Sequence, residues 1–235
     1  MRTRTRSLLS LATAALLAAC GGTPSDADDP GSGTRTLRVE ASITATPDVS
    51  NAQTSADFTT EFSIRIDKAG TPITSGTVTV TGNAGPIALT WSDPNGGRWR
   101  GSAPSYDQVY QLDVVAGADT VEGVVLAGPD VHVFTAPSPG TTVDATLPLD
   151  VAWASQDVAT STSIKTREID PIGIDDTGSY QLAVGTLRSK PTEVEQEELR
   201  LTRSTRIEPA GAVAGSQLTV SIDNRIDLVV APTGP

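Results

Sequence analysis

The sequence predicts an all-β protein: two tandem antiparallel β-sandwiches behind an export signal and a polar tether. Three observations carry this. Aromatic residues make up only 4% of the chain, while Thr, Val, Ala, Gly and Pro are plentiful, a balance suited to pleated sheets and many turns. Apolar residues recur with period two rather than 3.6. Clusters of Gly, Pro, Asn and Asp then punctuate those alternating runs as turns do.

The amino-terminal segment reads as a sorting signal. Arg2, Arg4 and Arg6 form a basic start, and residues 8–19 are uncharged and rich in Leu and Ala. That run is about a dozen residues, too short to cross roughly 30 Å of hydrocarbon at ~1.5 Å per residue. It ends in Leu17-Ala18-Ala19-Cys20, and Cys20 is the single cysteine of the chain. The tetrapeptide resembles the lipobox of bacterial lipoproteins. The resemblance implies cleavage before Cys20, a diacylglycerol on its thiol and acylation of the new amine by a chain such as palmitate. One acyl chain holds a protein only marginally, whereas two or three anchor it durably. Gly21 and Gly22 follow instead of Asp, which by the same resemblance implies delivery to the outer membrane where the host has one.

Loss of residues 1–19 removes Arg2, Arg4 and Arg6 and no acid. The remaining chain carries 14 basic and 28 acidic residues, a formal charge of −14. Such a surface repels nucleic acid and anionic lipid headgroups, so no nucleic-acid partner is expected. With Cys20 alone there is no internal disulfide, and with His132 alone no multi-histidine metal site. The expected partners are the membrane, through Cys20, and an envelope protein or glycan.

Residues 20–35 are read as the lipidated cysteine and a disordered tether of Gly, Ser, Pro and Asp. Fifteen such residues have a typical reach of about 20 Å. Structure is expected from Leu37, where Leu37, Val39, Ala41 and Ile43 alternate with polar residues, and Phe62, Ile64 and Ile66 repeat the pattern. Further strands are expected near 78–80, 87–91, 98–101, 110–115 and 121–126. In "LTWSDPNGGRW", Asp93 and Pro94 suit a type I turn and Gly96 suits the left-handed residue of a three-residue hairpin loop. That register sets Trp91 opposite Trp99. The two indoles are either core or a stacking platform for a sugar.

"TAPSPGTT" at 135–142 marks a boundary, giving a first domain at 36–135 and a second at 136–235. Leu147, Leu149, Val151 and Trp153 open the second in strict alternation, and later strands are expected at 179–184, 199–206, 218–222 and 226–230. Residues 192–197 are expected to form a loop or single turn. "DNR" at 223–225 is read as a tight hairpin between the last two strands. "GTPITSGTVTVTG", "GGRWRG" and "YQLDVVAG" in the first domain resemble bacterial Ig-like and transthyretin-like modules. "PSPGTTVDATLPLDVAWA" in the second resembles the opening of fibronectin type III and related Ig-like domains, which makes Trp153 a core residue. These resemblances imply Ig-like architecture and no particular binding site.

Chemistry leaves little trace. No G-x-S-x-G, S-x-x-K or Walker loop occurs, and H-E-x-x-H needs two histidines. His132, in "PDVHVFTAP", is read as a solvent-facing or interdomain strand residue. Asp170, Asp175 and Asp176 gather in "EIDPIGIDDTGSY", where carboxylates and carbonyls could hold calcium, the one cofactor the sequence suggests. The alternative is structural: Asp176, Gly178 and Tyr180 match the Asp-x-Gly-x-Tyr pattern of an Ig-type tyrosine corner. The chain is therefore expected to have no catalytic residues. It is read as a non-enzymatic envelope lipoprotein, an adhesion, assembly or scaffold component. The alternative is a carbohydrate- or peptidoglycan-binding module using the Trp91/Trp99 hairpin.

Overall fold

The computed structural model describes residues 28–93 and 96–234, so the signal segment, Cys20 and the start of the expected tether lie outside the described residues. The described chain is essentially all-β. β1 (Ser32–Gly33) and β2 (Arg38–Pro47) lead through a single 3-10 turn into β3 (Phe58–Lys68) and β4 (Thr71–Pro72). There follow β5 (Thr77–Gly82), β6 (Gly85–Ala88), β7 (Thr90–Ser92), β8 (Arg98–Ala103), β9 (Val109–Ala116) and β10 (Asp119–Ala127). Beyond a short linker come β11 (Val133–Ala136), β12 (Thr142–Val143), β13 (Leu149–Ala154), β14 (Ser161–Lys165), β15 (Ile172–Ile174) and β16 (Ser179–Leu182). The chain ends in a long pair, β17 (Glu195–Ile207) and β18 (Gln217–Val230).

These strands form three sheets, packed in the manner of a β-sandwich. The largest has the order β15-β14-β17-β18-β2-β3-β8-β7 and runs the length of the molecule. A five-stranded sheet, β1-β10-β9-β5-β6, covers one half of it, and a three-stranded sheet, β11-β13-β16, covers the other. Each half, or lobe, has its own core. The first gathers Phe58, Phe62, Ile64, Tyr110 and Leu112, and the second Trp153, Ile164, Leu182, Leu199 and Leu201.

The expected hairpin at 223–225 is absent, because β18 passes straight through it. Its inward positions are Leu218, Val220, Ile222, Asn224, Ile226, Leu228 and Val230, an unbroken period of two. Asp223, Asn224 and Arg225 pair in register with Thr202, Leu201 and Arg200 of β17. Leu218, Val220 and Ile222 pack in the first core, while Ile226, Leu228 and Val230 pack in the second. The polar triplet marks the crossing between cores. Residues 217–222 also pair in parallel with β2, so they complete the lobe formed by the amino-terminal half of the chain. At ~3.3 Å per residue β18 is about 45 Å long.

Three other expectations are amended. Residues 28–35, expected as tether, are bound to the first lobe. The Asp28 carboxylate accepts the Ala127 N–H, Asp29 bridges Val125, and β1 pairs with β10. The strand expected over 87–91 divides at Leu89, with β6 in one sheet and β7 in the other. The buried Leu89 side chain turns this corner over Gly101, where any Cβ would stand 2.6 Å from Leu89 Cδ2. β17 begins at Glu195, inside the segment read as a loop, because the buried Glu197 carboxylate accepts the N–H groups of Arg167, Arg188 and Glu198.

Candidate functional site

The polar side chains that stand out cluster at the crossing between lobes. β17 places Leu199, Leu201 and Arg203 on its inner face, so period two delivers a guanidinium into the interior. Arg203 is fully buried and all five of its N–H donors are used. Nη1 donates to the Asp130 carboxylate at 2.8 Å and to the Asp130 carbonyl at 3.1 Å. Nε and Nη2 donate to Asp176 Oδ2 at 3.1 and 2.9 Å, and Nη2 also donates to the Asp157 carbonyl. Planar, forked donors suit this two-sided grip.

Asp176 is thereby committed. Its oxygens also accept the Trp153 indole N–H at 3.2 Å and the Ala159 N–H at 2.8 Å. Burial by itself would raise this carboxyl. The Ala159 N–H and Arg203, with help from Trp153, outweigh it and hold the group below the ordinary carboxylate value. Asp170 and Asp175 are exposed and take no part in this cluster. Among the described residues no group of three or more His, Cys, Asp or Glu side chains could hold a metal ion.

The tyrosine-corner geometry appears in the other lobe. Tyr110, near the start of β9, accepts the Asp107 N–H at 2.8 Å on its phenolic oxygen, three residues upstream. Burial pushes its hydroxyl up to about 12. Tyr180 packs its ring beside the second core, and its hydroxyl takes no hydrogen-bond partner among the described residues. The sequence signal for Tyr110 was its place at the head of an alternating strand. The Asp-x-Gly-x-Tyr pattern points instead to Tyr180.

His132 is fully buried at the crossing, not solvent-facing. Its Nε2 lies 3.1 Å from the Leu201 carbonyl, which fixes Nε2 as the donor, and Nδ1 has no partner. Desolvation, helped by the Arg203 charge, lowers its pKa to about 4. It cannot act as a base towards anything in solvent. Asn224, also fully buried, accepts the Ala52 N–H and donates to the carbonyls of Ala52 and His132. Asn51 exchanges two hydrogen bonds with the Phe134 backbone, as a paired strand would. The loop at 48–54 is thus stitched to β11 directly and to the linker through Asn224.

The tryptophan hairpin has the expected register, with Trp91 opposite Trp99 and Ser92 opposite Arg98. The rings meet edge to face at 5.9 Å and 66°. Trp99 is 5% exposed and its indole N–H donates to the Ile73 carbonyl at 3.0 Å. Trp91 is half-buried and lies over Gly97, where a Cβ would stand 2.8 Å from the indole. Only one of the two indoles offers surface to a ligand.

Two clefts remain. One of about 550 Å³ opens between the edges of β15 and β16, lined by hydroxyls of Ser161, Thr177, Ser179 and Tyr180 together with Asp175. The other, about 400 Å³, lies where the lobes meet and is lined by Gln53, Asn83, Gln108 and Gln156. Neither contains the histidine. No helix of the described residues is long and apolar enough to cross a membrane. In comparison with known proteins, no family model matches the chain and no curated protein matches it in sequence.

Proposed function

We propose that this chain is a non-catalytic lipoprotein of the bacterial cell envelope, held by acyl chains on Cys20, whose folded part serves as a stiff scaffold for adhesion or assembly. The observation that carries the reading is the shared β17–β18 pair. A single strand inserts side chains into both cores, and the fully bonded Arg203 sits where it crosses. Hinging at 135–142 would have to break this ladder and uncover a paired guanidinium at the same time, which is strongly unfavourable. A rigid body on a lipid anchor holds a partner at a defined distance from the membrane. Enzymatic activity forms no part of this reading: the lone histidine is buried and neutral, and the inward carboxylates Asp130, Asp176 and Glu197 are occupied by Arg203 or backbone N–H groups. Outer-membrane delivery follows from Gly21 and Gly22 under the lipoprotein reading.

The test is metabolic labelling with palmitate and chemical crosslinking in intact cells, comparing the full-length protein with Cys20→Ala. Label on wild type alone, with a discrete protein adduct that depends on Cys20, is the expected result. Absence of label on wild type overturns the anchor. Recovery of cell-wall glycan irrespective of Cys20 replaces the scaffold by a carbohydrate- or peptidoglycan-binding module.

A further inference from the structure

The bound segment 28–35 fixes where the anchor meets the body. Asp28 is tied to Ala127, and the Ala127 carbonyl accepts the Thr205 hydroxyl at 2.7 Å. Thr205 lies two residues from the end of β17 and ten from its start. The chain therefore leaves the body close to the loop that joins β17 to β18, at 208–216, and far from the opposite tip. That loop is also bonded directly to the segment: Ala210 N–H donates to the Pro30 carbonyl at 2.8 Å, and Arg35 N–H to the Gly211 carbonyl at 2.8 Å. Seven residues, 21–27, separate Cys20 from Asp28. Even fully extended, that stretch spans at most about 28 Å at ~3.5 Å per residue. The β17–β18 pair is longer than this leash.

The loop reads "EPAGAVAGS", with Ala210, Val213 and Ala214 exposed at its surface. Three arginines surround it. Arg35 donates to the Ala210 carbonyl, Arg206 lines the groove beside Glu208 and Gly215, and Arg38 reaches towards Gly215. The acids nearby are Glu208, which accepts the Gly215 N–H, and Glu40, which pairs with Arg38. Asp28, Asp29 and Glu122 lie on the side of the segment that leads to the anchor. At the loop itself three arginines stand against two glutamates around small apolar residues.

We infer that the 208–216 loop of the lipidated protein rests on the membrane surface, with Val213 at the acyl boundary and Arg35, Arg38 and Arg206 facing anionic headgroups. The inference rests on Cys20 being the lipidated residue. Shallow apolar contact combined with arginine attraction to anionic lipid is the usual chemistry of such an interfacial patch. The consequence is orientation: the second lobe, with the exposed Leu147 and Val184 at its far end, projects away from the lipid.

Full-length lipidated protein carrying p-benzoyl-phenylalanine in place of Val213, or in place of Leu147, is reconstituted in vesicles of phosphatidylethanolamine and phosphatidylglycerol and irradiated. Lipid adducts on the tryptic peptides are counted by mass spectrometry, alongside the acyl chains on Cys20. The expected result is at least tenfold more adduct at 213 than at 147, reduced several-fold by Arg35→Glu with Arg206→Glu. Equal or absent adduct at 213 with Cys20 fully acylated overturns the orientation and leaves the lipoprotein reading standing. A Cys20 without acyl chains in cells removes both.

Discussion

Arg203 Nη2 lies 2.9 Å from Asp176 Oδ2, and this buried ion pair joins β17, the partner of the strand that threads both cores, to the loop that carries Trp153's polar partner. The charge has no access to solvent, so its value lies in what its removal would leave behind. Arg203→Met strands two carboxylates and the Asp157 carbonyl. The expected cost is about 3–5 kcal/mol in urea denaturation of the unlipidated chain. Arg203→Lys should recover only part of this, because an ammonium cannot reproduce the forked grip. A loss below about 1 kcal/mol for the Met variant would show that the pair is not the clasp described.

The neutral, buried His132 makes a distinct pH prediction. Its folded pKa of about 4 lies below the unfolded value of 6.5, so the native state binds the proton less well. Stability from this group is complete above pH 6.5 and is lost as pH falls from there towards 4, by about 3 kcal/mol in all. Asp176, with its lowered pKa, acts in a separate window, losing its contribution only below the ordinary carboxylate range. Urea midpoints measured from pH 7.5 to 4 should fall for wild type and stay nearly flat for His132→Gln between pH 6.5 and 4.5. Parallel slopes for the two proteins would refute the assignment.

The two tyrosines separate the observed corner from the one the sequence pattern suggested. Tyr110→Phe removes the acceptor of the Asp107 N–H and should cost about 1–2 kcal/mol. Tyr180→Phe removes a hydroxyl without a protein partner and should change stability by less than ~0.5 kcal/mol. Equal effects in thermal or urea melts would contradict this geometry.

Fluorescence distinguishes the paired indoles. Trp91→Phe should remove most of the iodide-quenchable emission, since Trp99 and Trp153 are both buried. Trp99→Phe should leave quenching intact while destabilising the first lobe, because it abandons the Ile73 carbonyl and empties core volume. Strong quenching that persists in Trp91→Phe would place Trp99 in solvent and revive a two-ring sugar platform.

Local information was enough for several of the longer strands. Period-two alternation marks β2, β3, β9 and β13, and turn-type residues between two short strands predict the observed pairing of Trp91 with Trp99, because side chains on a pleat alternate faces. The same alternation runs unbroken through 218–230. Asp-Asn-Arg nevertheless resembles a turn when read in isolation, since these residue types commonly make turns.

What the sequence by itself determined was the all-β character and the likeness of Leu17-Ala18-Ala19-Cys20 to a lipidation signal. What only the tertiary structure decided was which residues meet. Asp130, Asp176 and Arg203 are up to 73 positions apart, and Asn224 reaches back 172 residues to Ala52. Whether a carboxylate takes a cation, an arginine or water depends on the partner that folding brings within 3 Å, and sequence spacing does not encode that distance. Here folding placed an arginine beside Asp176 and turned Asp170 and Asp175 outward, and it threaded one strand through both cores.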